Sequence, residues 1–305
     1  VGDRAVLPGT SYVEMACAAY ASLHPGMEAA MRLQDVFFLT PLLLEDGAAV
    51  HVRTVLLREN QGYRFAIESC PDVQKASWIT HARGYVGAGQ SQLRDYQLAT
   101  LRDACAQSQY GPSDYNNLRD SQFTYGPRWN SYCWGTFAQA QGLSLIELPA
   151  EFVEDTAIYR FHPAIIDVAL VYMNRAETAG GPYVPFSYKS ISIHGKVPSK
   201  VYSHIRCRTA SRPDSKIVEF DLTIMDEQGR GIVEIEGYQV AAVSAHQPDK
   251  DNPGMLQPQP KSQPQLPLQT KSASLQAEAE AMLATSASSL TVEEGLQLLD
   301  TALAA

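Results

Sequence analysis

Apolar residues recur along positions 1–245 in two successive sets of the same kind. Each set opens with a proline-led stretch whose apolar residues share one helical face, and the stretches begin at Pro8 and Pro163. Segments typical of strands follow each stretch. The predicted strands are 33–44, 49–58, 63–69 and 78–86 in the first set, and 191–194, 201–209, 217–225 and 232–243 in the second.

The two sets keep nearly the same spacing. Pro163 lies 155 residues after Pro8, and Gly237 lies 153 residues after Gly84. Turn-forming residues at 45–47 and 226–229 separate predicted strands within the sets. Two copies of a helix laid across an antiparallel sheet explain this pattern. The sequence therefore predicts an α+β fold of the double-hotdog type, that is, two such helix-on-sheet repeats in tandem.

Composition divides the chain further. From 246 to 270, Pro and Gln supply 12 of 25 residues, and no aromatic residue follows Tyr238 except histidine. Such a segment cannot bury enough apolar surface to offset the entropy of ordering, which predicts a disordered linker. We therefore expect an N-terminal hotdog at 1–110, a C-terminal hotdog at 111–245, a Pro/Gln-rich linker at 246–273 and a short helical tail at 274–305.

Charge narrows the classes of partner. The 305 residues carry a net charge of −9, which disfavours electrostatic binding of nucleic acid or an anionic membrane over a broad surface. No apolar run reaches the roughly 18 residues that a membrane-spanning helix needs. The five cysteines form no Cys-x-x-Cys pair and no zinc-like cluster, so the sequence predicts free thiols, no metal site and a cytoplasmic location.

Four segments, in this order, carry a resemblance to a known family. They are VLPGTSYVEMA at 6–16, YGPRW at 125–129, FHPAIID at 161–167 and VPFS at 184–187. Each is a weak signal alone, but together, over the matching repeat, they resemble the dehydratase domains of modular polyketide synthases. The resemblance covers about residues 1–243.

The resemblance implies an activity and a set of site residues. The family eliminates water from a β-hydroxyacyl thioester, using a His base and an Asp acid, one from each hotdog. Asp167 matches the acid. The substrate-binding positions would be Tyr125, Gly126, Pro127, Pro8, Gly9 and Val171. No cofactor is expected to bind directly, because the substrate arrives on the phosphopantetheine of an acyl carrier protein. The expected partners are that carrier, neighbouring synthase domains and a second copy in a homodimer.

The sequence departs from the family at two positions. With Pro8 as the proline of the motif His-x-x-x-Gly-x-x-x-x-Pro, the glycine position falls on Asp3 and the His position lies ahead of Val1. Either a fragment boundary removed the base or the domain lacks it, and the non-Met start favours the first explanation. The second departure is Val171, where the family usually has a Gln or His that orients the acid.

These departures keep other functions open: a non-catalytic binding or structural domain, a double-bond isomerase, or an oxa-cyclase on the same fold.

Several of the candidate site residues also have a simpler structural explanation. Asp167 could be an ordinary helix-surface residue, and Tyr125 could belong to a loop that only packs. Gly9 could serve as a helix cap rather than present its N–H to a thioester. His162, before Pro163, is expected to be a structural cap.

Overall fold

The computed structural model describes residues 5–26, 30–44, 47–73, 77–90, 93–118, 124–170, 183–208 and 217–242. The chain divides into a first compact unit, Val1–Val243, and a second, Ser244–Ala305. All described residues belong to the first unit. The predicted linker at 246–273 and the predicted tail at 274–305 lie outside the described residues, as does Val171.

Within the described ranges the chain forms five α-helices and 13 strands. The helices are α1 (Gly9–Leu23), α2 (Leu98–Ala104), α3 (Pro112–Leu118), α4 (Asp155–Ile158) and α5 (Pro163–Ala169). The strands are β1 (Ala5–Val6), β2 (Met31–Phe38), β3 (Leu43–Leu44), β4 (His51–Glu59), β5 (Gly62–Cys70), β6 (Ile79–Ala88), β7 (Ser108–Tyr110), β8 (Tyr132–Phe137), β9 (Gln141–Glu147), β10 (Tyr183–Ile193), β11 (Lys200–Cys207), β12 (Ile217–Met225) and β13 (Gly231–Ala242). None of these described helices is long and apolar enough to cross a membrane.

Eleven of the described strands form one antiparallel sheet, and its order reflects the repeat. The order is β4-β5-β6-β2-β10-β13-β12-β11-β9-β8-β7, while β1 and β3 pair separately. The strands of the first set therefore occupy one end of the sheet, and those of the second set the other. They meet where β2 pairs with β10, for example at Leu33 and Ile191. Helix α1 packs against β4, β5 and β6, whereas α5 packs against β9, which gives each half its own helix.

The first helix forms where the sequence predicts it. Pro8 is its N-cap residue in an extended conformation, and the buried face carries Tyr12, Val13, Ala16 and Cys17. A proline at the start costs no hydrogen bond, because the first N–H groups of a helix have no partner within it.

Two predicted strands have the wrong bounds. The segment 33–44 is not one strand: β2 ends at Phe38, and β3 is a separate two-residue strand beyond Pro41, which has no N–H to donate to a ladder. The segment 191–194 is only the end of β10, which begins at Tyr183 and passes a register shift between Pro185 and Ser187.

The sequence pattern predicts no strand in the region that forms β7, β8 and β9. Leu143 and Ile146 of β9 are buried, and the strand pairs with β11 over seven positions from Lys200 to Arg206. The second half of the sheet is therefore larger than the pattern predicted.

Candidate active site

Helix α5 carries the predicted acid. His162 is the N-cap residue, and its Nδ1 accepts the backbone N–H of Ile165 at 3.4 Å. Pro163 supplies the first residue of the helix. Asp167 is half-buried, and its helix neighbours Ile166 and Val168 are fully buried. An apolar surrounding of this kind penalises the charged form of a carboxyl group.

The Trp129 indole reaches the same carboxyl group. Its Nε1 donates a hydrogen bond to Asp167 Oδ2 at 2.7 Å. Trp129 ends the 3₁₀ turn Pro127–Trp129, in which its own backbone N–H bonds to the carbonyl of Gly126 at 3.0 Å. Trp129 belongs to one of the four sequence motifs, but the motif predicts no contact with Asp167.

The residue before Trp129 holds the turn in place. Arg128 Nε donates to Asp155 Oδ2 at 2.6 Å, and Nη2 donates to Oδ1 at 3.4 Å. This hydrogen bond lowers the pKa of Asp155. His162 Nε2 lies 3.7 Å from the same Oδ2, which is longer than a hydrogen bond.

His162 acts as a cap. Burial lowers its pKa, although the nearby Asp155 carboxylate opposes the shift. A neutral imidazole keeps the lone pair on Nδ1 that accepts the Ile165 N–H. The prediction of a structural cap is confirmed by this contact.

Three predicted substrate-binding positions lie at the start of the turn or directly before it. Gly126 and Pro127 are exposed, and Tyr125 is partly exposed. Gly126 is the N-cap residue of the turn, and a Cβ there would lie 3.8 Å from the Trp129 ring, an ordinary contact. These residues therefore form a turn, whereas a contact with substrate stays a prediction.

The other two described positions lie at the start of α1. A Cβ on Gly9 would lie 3.0 Å from the Phe38 ring, so glycine permits this close approach. The next residue, Thr10, donates its hydroxyl hydrogen bond to the carbonyl of Pro163 at 3.1 Å. The beginnings of α1 and α5 are therefore in direct contact, which brings Pro8 and Gly9 to the helix that carries Asp167. A role of the Gly9 N–H in binding a thioester stays a prediction.

Two tyrosines outside the predicted site residues lie near Asp167. Tyr188 on β10 and Tyr238 on β13 are opposite each other in the sheet, and their rings stack with centroids 4.6 Å apart. Both are fully buried, and burial raises both pKa values far above their ordinary range. Among the described residues, the Tyr238 hydroxyl has no hydrogen-bond partner.

The described ranges contain no cluster of metal-binding side chains and no disulfide bond. No group of three or more His, Cys, Asp or Glu side chains there could hold a metal ion. All five cysteines are free, as predicted; Cys17, Cys70 and Cys105 are buried, and the other two are partly buried.

Two family models match the chain. The model described as polyketide synthase dehydratase N-terminal domain matches residues 95–250, and the one described as polyketide synthase dehydratase domain matches residues 1–70. Together they cover all four motifs of the resemblance.

Curated relatives are large synthases. Polyketide synthase PksN of Bacillus subtilis is 26% identical over 244 residues, which are 78% of this chain and 4% of PksN. Mycoketide-CoA synthase of Mycobacterium tuberculosis is 26% identical over 212 residues, covering 67% of this chain and 5% of that protein. The chain thus spans only a small part of the curated relatives that it matches.

Solved structures share the fold. A trans-AT polyketide synthase dehydratase domain from Brevibacillus brevis superposes with a TM-score of 0.70 at 22% identity, covering 79% of this chain and 87% of that one. An isomerase-inactive variant of GphF DH1 gives a TM-score of 0.69 at 25% identity, covering 81% and 86%. The predicted double-hotdog fold is confirmed by these superpositions.

Proposed function

The chain belongs to the polyketide synthase dehydratase family, and from that premise we propose that it eliminates water from a β-hydroxyacyl thioester with Asp167 as the acid. The product is the α,β-unsaturated thioester, so the reaction is that of a hydro-lyase. The observation that carries the proposal is the placement of the partly buried Asp167 carboxyl group on helix α5, whose neighbouring side chains Ile166 and Val168 are fully buried and apolar.

The elimination needs two proton movements. A base removes the α-proton, which the thioester acidifies, and the electrons form the new double bond. The bond from the β-carbon to oxygen breaks, and the Asp167 carboxyl group gives its proton to that oxygen, so that water leaves. An acid that works near neutral pH must keep its proton before the reaction, and apolar surroundings favour that form.

Asp167 supplies the acid, and no residue of this chain is proposed as the base. The position that matches the family's His base precedes Val1. Two of the described histidines have other contacts: His162 caps α5, and both ring nitrogens of His81 are engaged, by the Thr40 carbonyl at 2.9 Å and the Ser69 hydroxyl at 2.6 Å.

The substrate would arrive on an acyl carrier protein, attached through phosphopantetheine. The curated relatives support neighbouring synthase domains, because they are polyketide synthases many times longer than this chain. Neighbouring synthase domains and a homodimer belong to the same proposal. The phosphopantetheine needs no cofactor site of its own here, because it enters as part of the substrate.

The test follows water loss from a defined substrate. The polypeptide as its gene encodes it would be incubated with a β-hydroxyacyl carrier protein, and the acyl chain would be followed by mass spectrometry. We expect the wild type to release one water and Asp167→Asn to lose nearly all activity. The control is Asp103→Asn, which removes an exposed carboxyl group on α2 and should match the wild type. No water loss by the wild type would overturn the dehydratase proposal.

A double-bond isomerase is the second candidate, because an isomerase-inactive variant of GphF DH1 is among the structural matches at 25% identity. One carboxyl group suffices for such a shift: it takes a proton from the γ-carbon, the double bond moves, and a proton returns to the α-carbon. Incubating the wild type with an α,β-unsaturated carrier thioester and recording the NMR spectrum would detect this reaction. Movement of the double bond without water loss from the β-hydroxy substrate would favour it.

A further inference from the structure

The turn that contains Arg128 and Trp129 contacts the region of α5 through both side chains. Arg128 binds Asp155, which lies beside the cap residue His162, and Trp129 binds Asp167 within the helix. Neighbouring residues of one turn thus bind Asp155 on α4 and the Asp167 carboxyl group on α5.

The direction of the Trp129 hydrogen bond constrains the carboxyl group. An indole N–H only donates, so Asp167 Oδ2 is the acceptor. A carboxyl oxygen that accepts a strong hydrogen bond is a poor place for the proton, so the acidic proton of Asp167 belongs on Oδ1. The bond also fixes the rotation of the carboxyl group, which is otherwise soft about its last torsion angle.

The hydrogen bond of Trp129 to Asp167 can be tested separately from the apolar packing of its ring. The Trp129 ring packs against the hydrophobic core while its N–H reaches Asp167. A phenylalanine keeps an aromatic ring at this position but has no donor. The hydrogen bond can therefore be removed while most of the apolar contact is retained.

We propose that Trp129 is the positioning residue of the reaction: its indole N–H holds the Asp167 carboxyl group so that the protonated oxygen faces the leaving hydroxyl of the substrate. This inference rests on the proposed function, because it assumes that Asp167 is the acid. A misplacement of about 1 Å in a reacting group can cost on the order of a hundredfold in rate.

Two variants at Trp129 test the inference. The first is Trp129→Phe. The second replaces Trp129 by β-(3-benzothienyl)alanine, which keeps the two-ring shape and has sulfur in place of the N–H. Both would be assayed for water loss from a β-hydroxyacyl carrier protein, in the polypeptide as encoded. We expect kcat to fall by about tenfold to a hundredfold in both variants, with KM changed less than about twofold.

The matched control is Trp134→Phe. Trp134 on β8 packs edge-on against Tyr202 at 6.1 Å and under Arg102 at 4.8 Å. Its replacement should leave kcat near the wild-type value. The melting temperature of each variant is recorded, so that a folding defect is separated from a kinetic one.

Each outcome decides the inference. A fall in kcat for both Trp129 variants supports it. Full activity of the benzothienyl variant overturns it and assigns Trp129 to packing, whatever the phenylalanine variant does. If Asp167→Asn is inactive while both Trp129 variants are fully active, the positioning role fails and the proposed function stands. If the wild type eliminates no water, the proposed function and this inference fail together.

Discussion

The Glu14 carboxylate on α1 accepts the backbone N–H of Phe161 at 2.6 Å, although the two residues are 147 positions apart in the sequence. It also accepts the N–H of Arg160 at 3.1 Å. Glu14 is buried, and burial raises its pKa although both N–H groups oppose the shift. One side chain of the first repeat thus satisfies two backbone donors directly ahead of α5 in the second.

Removing this carboxylate should destabilise the fold strongly. Glu14→Ala leaves two backbone N–H groups without a partner, and each buried N–H group without an acceptor costs about 1–3 kcal/mol. We expect the free energy of unfolding in urea to fall by about 2–4 kcal/mol. Glu151→Ala, an exposed position, should change it by less than about 0.5 kcal/mol. Equal effects of the two substitutions would show that the Glu14 contact contributes nothing.

Gly9→Ala should disturb the start of α1. The new Cβ would lie 3.0 Å from the Phe38 ring, so the ring or the helix must shift. Overpacking of this kind costs about 1–3 kcal/mol. We expect a lower midpoint of thermal unfolding and a partial recovery in the double variant Gly9→Ala, Phe38→Leu. A single variant as stable as the wild type would contradict the close approach.

Two tyrosine-to-phenylalanine changes should have unequal effects on stability. Tyr12 Oη accepts the backbone N–H of Leu42 at 2.9 Å, whereas the Tyr238 hydroxyl has no partner among the described residues. Tyr12→Phe therefore orphans a buried donor and should cost about 1–3 kcal/mol. Tyr238→Phe removes a buried hydroxyl without breaking a described bond, so its unfolding free energy should stay unchanged or rise. A loss in Tyr238→Phe as large as in Tyr12→Phe would reveal a partner of Tyr238.

His204 should make the protein less stable in acid. Burial lowers its pKa from 6.5 to about 4, and the nearby Arg206 charge acts in the same direction. Between those values the unfolded chain binds the proton and the folded protein does not, so stability falls as the pH falls through this window. Each pKa unit corresponds to about 1.4 kcal/mol, which makes the loss about 3 kcal/mol near pH 4.

The matched variant for this prediction is His204→Gln. Urea unfolding of both proteins between pH 7 and pH 4 would show the difference in slope. The wild type should lose more stability than the variant over this range. Parallel curves would mean that His204 titrates normally in the folded protein.

Much of the fold could be predicted because it follows from local patterns. The proline-led helix at Gly9–Leu23 and the strands of both repeats depend on residue spacing within a few positions. Strands β7–β9 had no counterpart in the predicted repeat and were missed, although Leu143, Leu145 and Ile146 carry an apolar signal. The separation of β2 from β3 at Pro41 could also be predicted, because proline has no N–H to donate to a strand ladder.

The site was predictable only in part. The motif match singled out Asp167, and the cap role of His162 followed from Pro163. The contact between Trp129 and Asp167 spans 38 positions and depends on how the turn packs on α5, which no local pattern encodes. The stacking of Tyr188 on Tyr238 likewise follows from strand register.

The central claim is that Asp167 gives its proton to the leaving hydroxyl group. The most direct measurement is the single-turnover rate of water loss from a β-hydroxyacyl carrier protein, with wild type and Asp167→Asn compared at equal carrier occupancy. General acid catalysis contributes about 10²–10⁴-fold, so the rate should fall by at least a hundredfold in Asp167→Asn. Equal rates in the two proteins would contradict the assignment of Asp167 as the acid.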